Sequence, residues 1–214
     1  INEIGERSFS YWRDQSPSKY IFLGSKGKKL AREIKNADVF YYTGISAGIL
    51  DAKQKKDLIH IGSTAVTCGF DFNYRSQLHN NKKVSQLLFK KISENVDINF
   101  VSFDDVKELF DIKNPYEVFE ILNDKKNLIL IRYKDSIIFK NKQEVIKTVK
   151  VCHGEVVDTT AAGDAFNGSF LALINNDKNI SIEENILKSH SVTREVIKHK
   201  GAIISNKNMP NINT

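Results

Sequence analysis

The sequence predicts an α/β fold built on a mainly parallel sheet with helices on both faces, and three observations carry that prediction. Short apolar runs of strand length, among them "VFYY", "GFDFN", "INFVS" and "NLILIRY", recur along the chain. Stretches with helical spacing lie between them, and this alternation implies crossover connections in a parallel sheet. The residues with chemistry to offer sit in the loops that follow the strands, where ligands of such sheets bind.

The elements follow in order. "RSFSYWR" (7–13) alternates polar and aromatic residues as a half-exposed strand does, and "KKLAREIKNA" (28–37) has helical periodicity. "DVFYYTG" reads as a short strand ending in glycine, the mixed stretch 46–60 as one helix, and "GFDFN" (69–73) as the next strand. "KVSQLLFKKISEN" is predicted helical and "VDINFVS" extended. "SFDDVKELF" and "NPYEVFEILND" read as helices capped by Ser or Asn, the second with Pro at its first helical position. "NLILIRY" and "DSIIFK" are expected to be the last buried strands, followed by helices over about 164–175 and 182–199 and a tail strand "GAIIS". This order places Ser46, Asn73 to Arg75, Ser102 and the loop 158–164 along one edge.

Composition narrows the function classes. The chain has 214 residues, 41% hydrophobic and 27% charged, which is ordinary for a globular protein with a sizeable core. No run approaches the roughly 18 apolar residues of a membrane span, and no leader pattern opens the chain, so a cytoplasmic protein without membrane partners is expected. Cys68 and Cys152 have neither CxxC spacing nor a nearby histidine pair, so no protein metal site is expected. The net charge of +6 is spread over lysines interleaved with Asp and Glu, which fits solvated helix faces better than a continuous nucleic-acid-binding stripe and is equally consistent with a small anionic ligand.

"DTTAAGDAF" (158–166) is the most informative stretch. A threonine pair and a run of small residues precede the apolar "AFNGSFLALI", so a loop turns into a helix N-terminus whose backbone amides point outward. Such amides suit an anion. Asp164 beside them either complements its own helix dipole or acts as a base next to a transferring phosphoryl group.

The same nine residues resemble the DTTGAGDxF motif of the ribokinase-like (PfkB-type) carbohydrate kinases, with Ala161 where that family usually has glycine. "YWRDQSPSKYIF" (11–22), "YYTGISAGIL" (41–50), "FDFNYRSQL" (70–78), "VSFDDVKELF" (101–110) and "VIKHKGAII" (196–204) are similar, in that order, to the branch acting on 2-keto-3-deoxygluconate. The resemblance covers essentially the whole chain. It implies a ribokinase-like three-layer αβα sandwich, a single but partial kinase domain over 1–214, N-terminally truncated, with a β-lid strand segment in 1–20 whose remnant lies near 7–13.

The resemblance also implies roles. Asp164 would be the base that deprotonates the sugar's terminal hydroxyl, with Ala161, Ala162 and Gly163 forming the anion hole for the γ-phosphoryl. Tyr11, Trp12, Arg13 and Arg75 would contact the substrate, and guanidinium groups suit the carboxylate of a sugar acid. Ser102 and Arg132 lie where the family contacts ATP, and His190 lies near its adenine pocket. ATP and Mg2+ are therefore expected, the metal held largely by phosphate oxygens and water. A homo-oligomer is consistent with the family's lid pairing.

Departures from the family pattern leave alternatives open. "RYKDS" replaces a glycine-bearing turn near the nucleotide, Lys200 precedes Gly201 and Ala202 where relatives have Asp or Arg, and the family's opening segment with its glycine pair has no match. Beside ATP-dependent 6-phosphorylation of 2-keto-3-deoxygluconate stand a catalytically inactive remnant or binding subunit, and another PfkB-type carbohydrate or nucleoside kinase.

Overall fold

A computed structural model describes residues 16–122, 127–141, 145–152 and 154–212. The sequence-predicted strand 7–13, with Tyr11, Trp12 and Arg13, lies outside them. The end of the expected lid segment that is described, Pro17–Tyr20, is a 3-10 turn. The chain divides into two compact units, the larger comprising the described residues up to Lys134 with Ile138–Thr148, the smaller Asp135–Ile137 and those from Val149 onward.

In the larger unit, helix α1 (Gly24–Lys35) leads into strand β1 (Val39–Thr43), followed by α2 (Gly44–Ile49) and α3 (Ala52–Gly62). One helix was expected over 46–60. Leu50 is instead extended and Asp51 caps a new helix, its side chain accepting from Gln54 N at 2.8 Å, because an N-cap carboxylate satisfies an otherwise open donor. Gly44 allows the first of these helices to start at the strand end. A β-carbon there would overlap the carbonyl oxygen of Phe72 and come within 2.7 Å of the Phe89 ring.

Strands β2 (Thr67–Asp71), β3 (Ile98–Ser102) and β4 (Leu128–Tyr133) continue the sheet, with α4 (Lys82–Ser93), α5 (Phe103–Phe110) and α6 (Glu117–Ile121) as connections. Strands β1 to β4 are parallel, in register through Tyr41 opposite Gly69, Gly69 opposite Ile98 and Ile98 opposite Leu128. The residues of β2 and β3 are buried almost without interruption, as expected of a strand covered on both faces. Phe70, Phe72, Phe100 and Ile129 are fully buried, and Phe70 packs against Phe72 and Phe89 at ring separations of 5.3 and 5.6 Å. Helix α6 is shorter than predicted: Asn114 and Pro115 form a turn, in which the Glu117 carboxylate accepts from Asn114 N at 2.8 Å, and the helix starts only at Glu117.

A two-residue turn at Lys134 and Asp135 joins β4 to β5 (Ser136–Lys140), and β6 (Ile146–Lys150) completes a mixed six-stranded sheet in chain order. The sequence reading missed β6. Its residues "IKTVK" are mostly exposed, so they carry no burial signal, and the lysines suit an edge strand.

The smaller unit holds two long helices, α7 (Ala162–Asn176) and α8 (Ile182–Val196), packed on each other. Phe166 and Phe170 of α7 and Ile186 and Val192 of α8 are buried. Buried Asn185 donates to Phe170 O at 3.1 Å and accepts from Ser189 Oγ at 3.0 Å, so its amide is satisfied at both ends. The expected tail strand "GAIIS" is not a strand: Gly201 takes a φ of 91°, which breaks extended structure, and Ile203 is 91% exposed.

Candidate active site

The "DTTAAGDAF" loop in the smaller unit is built by Asp158, which is fully buried. One carboxylate oxygen accepts from Thr160 N at 3.0 Å, and the other accepts from Gly201 N at 2.7 Å. A buried charge is stable only when such bonds surround it, so Asp158 ties the loop to the Lys200–Gly201 turn. The amides of Val157 and Asp158 both donate to Ile197 O, at 2.8 and 3.1 Å, and fix the approach of the chain.

Ala161 then reverses the backbone. It occupies the N-cap of α7 with φ 62° and ψ 14°, the left-handed conformation that glycine adopts without penalty. The Ala162 amide donates to Thr159 O at 3.2 Å and that of Ala165 to Ala161 O at 2.8 Å. Gly163 and Asp164 follow in the first turn, so their amides lie at the positive end of a 15-residue helix. Asp164 is exposed in that first turn and stands on the rim of a cavity of about 370 Å3, walled by Val192, Val196, Ile203 and Met209. That volume falls in the range of small-ligand pockets.

His190, on α8 in the same unit, has its Nε2 3.0 Å from Cys152 O. The ring is thereby oriented toward the strand-to-loop segment that precedes the motif.

In the larger unit the sequence-predicted residues Ser46, Arg75, Ser102 and Arg132 lie at or just beyond the carboxyl ends of β1, β2, β3 and β4. Ser46 N donates to Thr43 Oγ1, which caps α2. Ser102 is the N-cap of α5 by position, without a hydrogen bond from its side chain. Arg75 NH1 donates to Tyr74 O at 2.6 Å and to Asp105 Oδ1 at 3.2 Å, and Arg132 NH2 lies 3.6 Å from Asp71 Oδ1. Asp71 is buried, and its Oδ2 accepts from Tyr41 OH at 3.4 Å.

Asp71, Asp105 and Asp158 were not singled out from sequence. Each had a signal: a carboxylate inside the apolar run "GFDFN", one in the first turn of "SFDDVKELF", and the opening residue of "DTTAAGD". Burial pushes the Asp105 carboxyl up to about 6, with Asp71 adding to the rise while Arg75 and Arg132 oppose it.

Tyr133, in the "RYKDS" stretch that replaces the family's glycine-bearing turn, packs edge-on against Phe103 at 4.9 Å. The left-handed position of that turn is Lys134, with φ 52°. A second cavity of about 550 Å3 in the larger unit is lined mainly by apolar residues, among them Phe22, Leu30, Phe40 and Ile45. Among the described residues no cluster of three potential ligands could hold a metal ion, and no helix is long and apolar enough to cross a membrane.

The larger unit thus carries arginine–carboxylate pairs at the strand ends of an α/β sheet, and the smaller unit carries a helix N-terminus with an exposed aspartate. Comparison with known proteins identifies the family: residues 1–209 match the model of the pfkB family carbohydrate kinases, and the chain belongs to that family. The 2-dehydro-3-deoxygluconokinase of Escherichia coli K12 is 30% identical over 218 residues, an alignment covering 98% of this chain and 70% of that protein. The enzyme of that name from Haemophilus influenzae is 33% identical, covering 95% and 67%. Among solved structures, fructokinase with bound ATP from Xylella fastidiosa superposes with a TM-score of 0.65 at 20% identity, covering 84% of this chain and 60% of that one. Aminoimidazole riboside kinase from Salmonella enterica gives 0.65 at 21% identity, covering 78% and 58%. These structures support the ribokinase-like fold, and the chain spans less than two thirds of each of them.

Proposed function

We propose that the protein transfers the γ-phosphoryl group of ATP to the terminal hydroxyl of a sugar acid, with 2-keto-3-deoxygluconate as the substrate to test first. The observation that carries this reading is the placement of Asp164, exposed in the first turn of α7 at the positive end of the helix and lining a ligand-sized cavity. ATP bound there would supply the electrophile, and accompanying Mg2+ would offset the phosphate charge. The positive end of α7 suits such an anion.

In this reading Asp164 accepts the proton of the attacking hydroxyl, and the amides of the 161–163 loop, Gly163 foremost, stabilise charge on the transferring group. Asp158 keeps that loop in shape. Arg75 receives the carboxylate of the sugar acid, a requirement that a neutral sugar does not have. Tyr11, Trp12 and Arg13 are assigned to the same substrate by motif, and Ser102, Arg132 and His190 to the nucleotide.

The test is ADP release with 2-keto-3-deoxygluconate, ATP and Mg2+, compared with fructose as acceptor. Asp164→Asn is expected to lower kcat by about 100-fold or more with little change in KM, the usual weight of a positioned base. Full activity in that variant would remove Asp164 from the chemistry. Fructose turned over as efficiently as the sugar acid would redirect the reading to a neutral-sugar kinase.

A further inference from the structure

We propose that Asp105 is a positioning residue for Arg75, holding its guanidinium so that one edge stays presented to the carboxylate of the acceptor. This rests on the reading of Arg75 as the group that binds a sugar acid.

The geometry of Arg75 motivates it. Its side chain is 41% exposed, and a long exposed arginine ordinarily samples many rotamers. Here NH1 is fixed from two sides, by Tyr74 O at 2.6 Å and by Asp105 Oδ1 at 3.2 Å. Among the described residues both contacts use NH1, so the Nε–NH2 edge has no protein partner. That edge is one of the two-donor faces with which a guanidinium grips a carboxylate. The fixed nitrogen and the open edge divide the work between holding and binding.

Asp105 itself sits in an unfavourable place for a pair that serves stability. Its side chain is only 18% exposed, and the groups facing it are Arg75 and the Tyr74 amide from the loop after β2, Asp71 from β2 and Arg132 from β4. Asp71 is already engaged by Arg132 and Tyr41. A carboxylate kept in such surroundings, against its own desolvation, is characteristic of a site where charge is used. With its carboxyl pushed up to about 6, Asp105 is ionised at neutral pH and about nine-tenths protonated at pH 5.

Calorimetric titration of 2-keto-3-deoxygluconate into the full chain, Arg75→Ala, Asp105→Asn and Asp105→Glu tests this, with wild type measured from pH 5 to 8. Asp105→Asn is expected to weaken binding about 10-fold, and Asp105→Glu to recover part of the loss. Wild-type affinity should fall several-fold as pH drops through 6, whereas that of Asp105→Asn stays flat. Adding Asp105→Asn to Arg75→Ala should cost nothing further. If Asp105→Asn binds within twofold of wild type while Arg75→Ala is impaired, the positioning role is overturned and the Arg75 reading stands. If Arg75→Ala also binds within twofold, that reading fails and takes the proposal with it.

Discussion

Ala161 holds a conformation that its side chain opposes. An L-residue with a β-carbon in the left-handed region loses about 1–2 kcal/mol relative to a right-handed one, and Ala161 sits there at φ 62°. The loop keeps it in place through Asp158 and the Ile197 carbonyl. Ala161→Gly should therefore stabilise the folded state, although part of the gain is offset by the extra freedom glycine has when unfolded. The expected net is about 0.5–1 kcal/mol by urea denaturation, with turnover retained. A loss of stability would mean that the left-handed turn is not the resting conformation of the loop. Asp105 makes the second residue-scale prediction. Its folded carboxyl titrates near 6 against an ordinary 3.8, so between those values the native state binds the proton more tightly than the unfolded chain does. Ionising it therefore costs stability, a cost absent below about pH 3.8 and complete above about 6. The difference is worth about 3 kcal/mol at most. Asp105→Asn should raise the melting temperature at pH 7.5 and leave it unchanged near pH 4, measured by differential scanning fluorimetry across that range. An equal shift at both ends would show that ionisation of Asp105 is not the cause.

The strand ends show what an element can and cannot reveal in its sequence. Strands β2 to β4 were legible because their apolar runs are largely buried, β1 because its run is apolar although only Tyr42 is buried, and α4, α7 and α8 because their apolar positions recur at helical spacing. The break at Leu50 was not legible: the pattern on either side remains helical, and the deciding feature is local, the Asp51 side chain competing for Gln54 N. Strand β6 and the false tail strand failed in opposite senses, one polar but paired, the other apolar but exposed. The site divides similarly. Asp164 and its loop were readable because nine consecutive residues specify them, whereas the pairing of Arg75 with Asp105, 30 positions apart, depends on which strands become neighbours. Gly44 tests the tight junction between β1 and α2. Gly44→Ala would drive a methyl group into the Phe72 carbonyl and the Phe89 ring, both in the core, where overpacking typically costs about 1–3 kcal/mol. Chemical denaturation should show that loss. Stability within a few tenths of a kcal/mol would indicate that α2 can lift away from β2 without penalty.

At the scale of the whole molecule, charge decides between partners. The excess of +6 could attract nucleic acid, yet four of its lysines are paired on or beside helices: Lys29 with Glu33, Lys91 with Glu94, Lys188 with Glu184 and Lys198 with Glu195. Exposed pairs of this kind add little stability, but they dilute any continuous positive stripe that could follow a phosphate backbone. The concentrated sites are small: the amides at the start of α7, and the strand-end arginines, whose own carboxylates hold them in place. Such a surface should bind a compact nucleotide and ignore a polymer. A ligand present at 100 times its dissociation constant stabilises the native state by about 2.7 kcal/mol, which for a chain of this size raises the melting temperature by about 5–11 °C. MgATP should produce a shift of that order at 200 mM salt. Duplex DNA at the same phosphate concentration should produce none, since non-specific binding held by counterion release weakens steeply between 50 and 200 mM salt. A DNA-induced shift that survived the higher salt, with none from MgATP, would assign the positive charge to a polymeric partner and remove the nucleotide from the reading of α7.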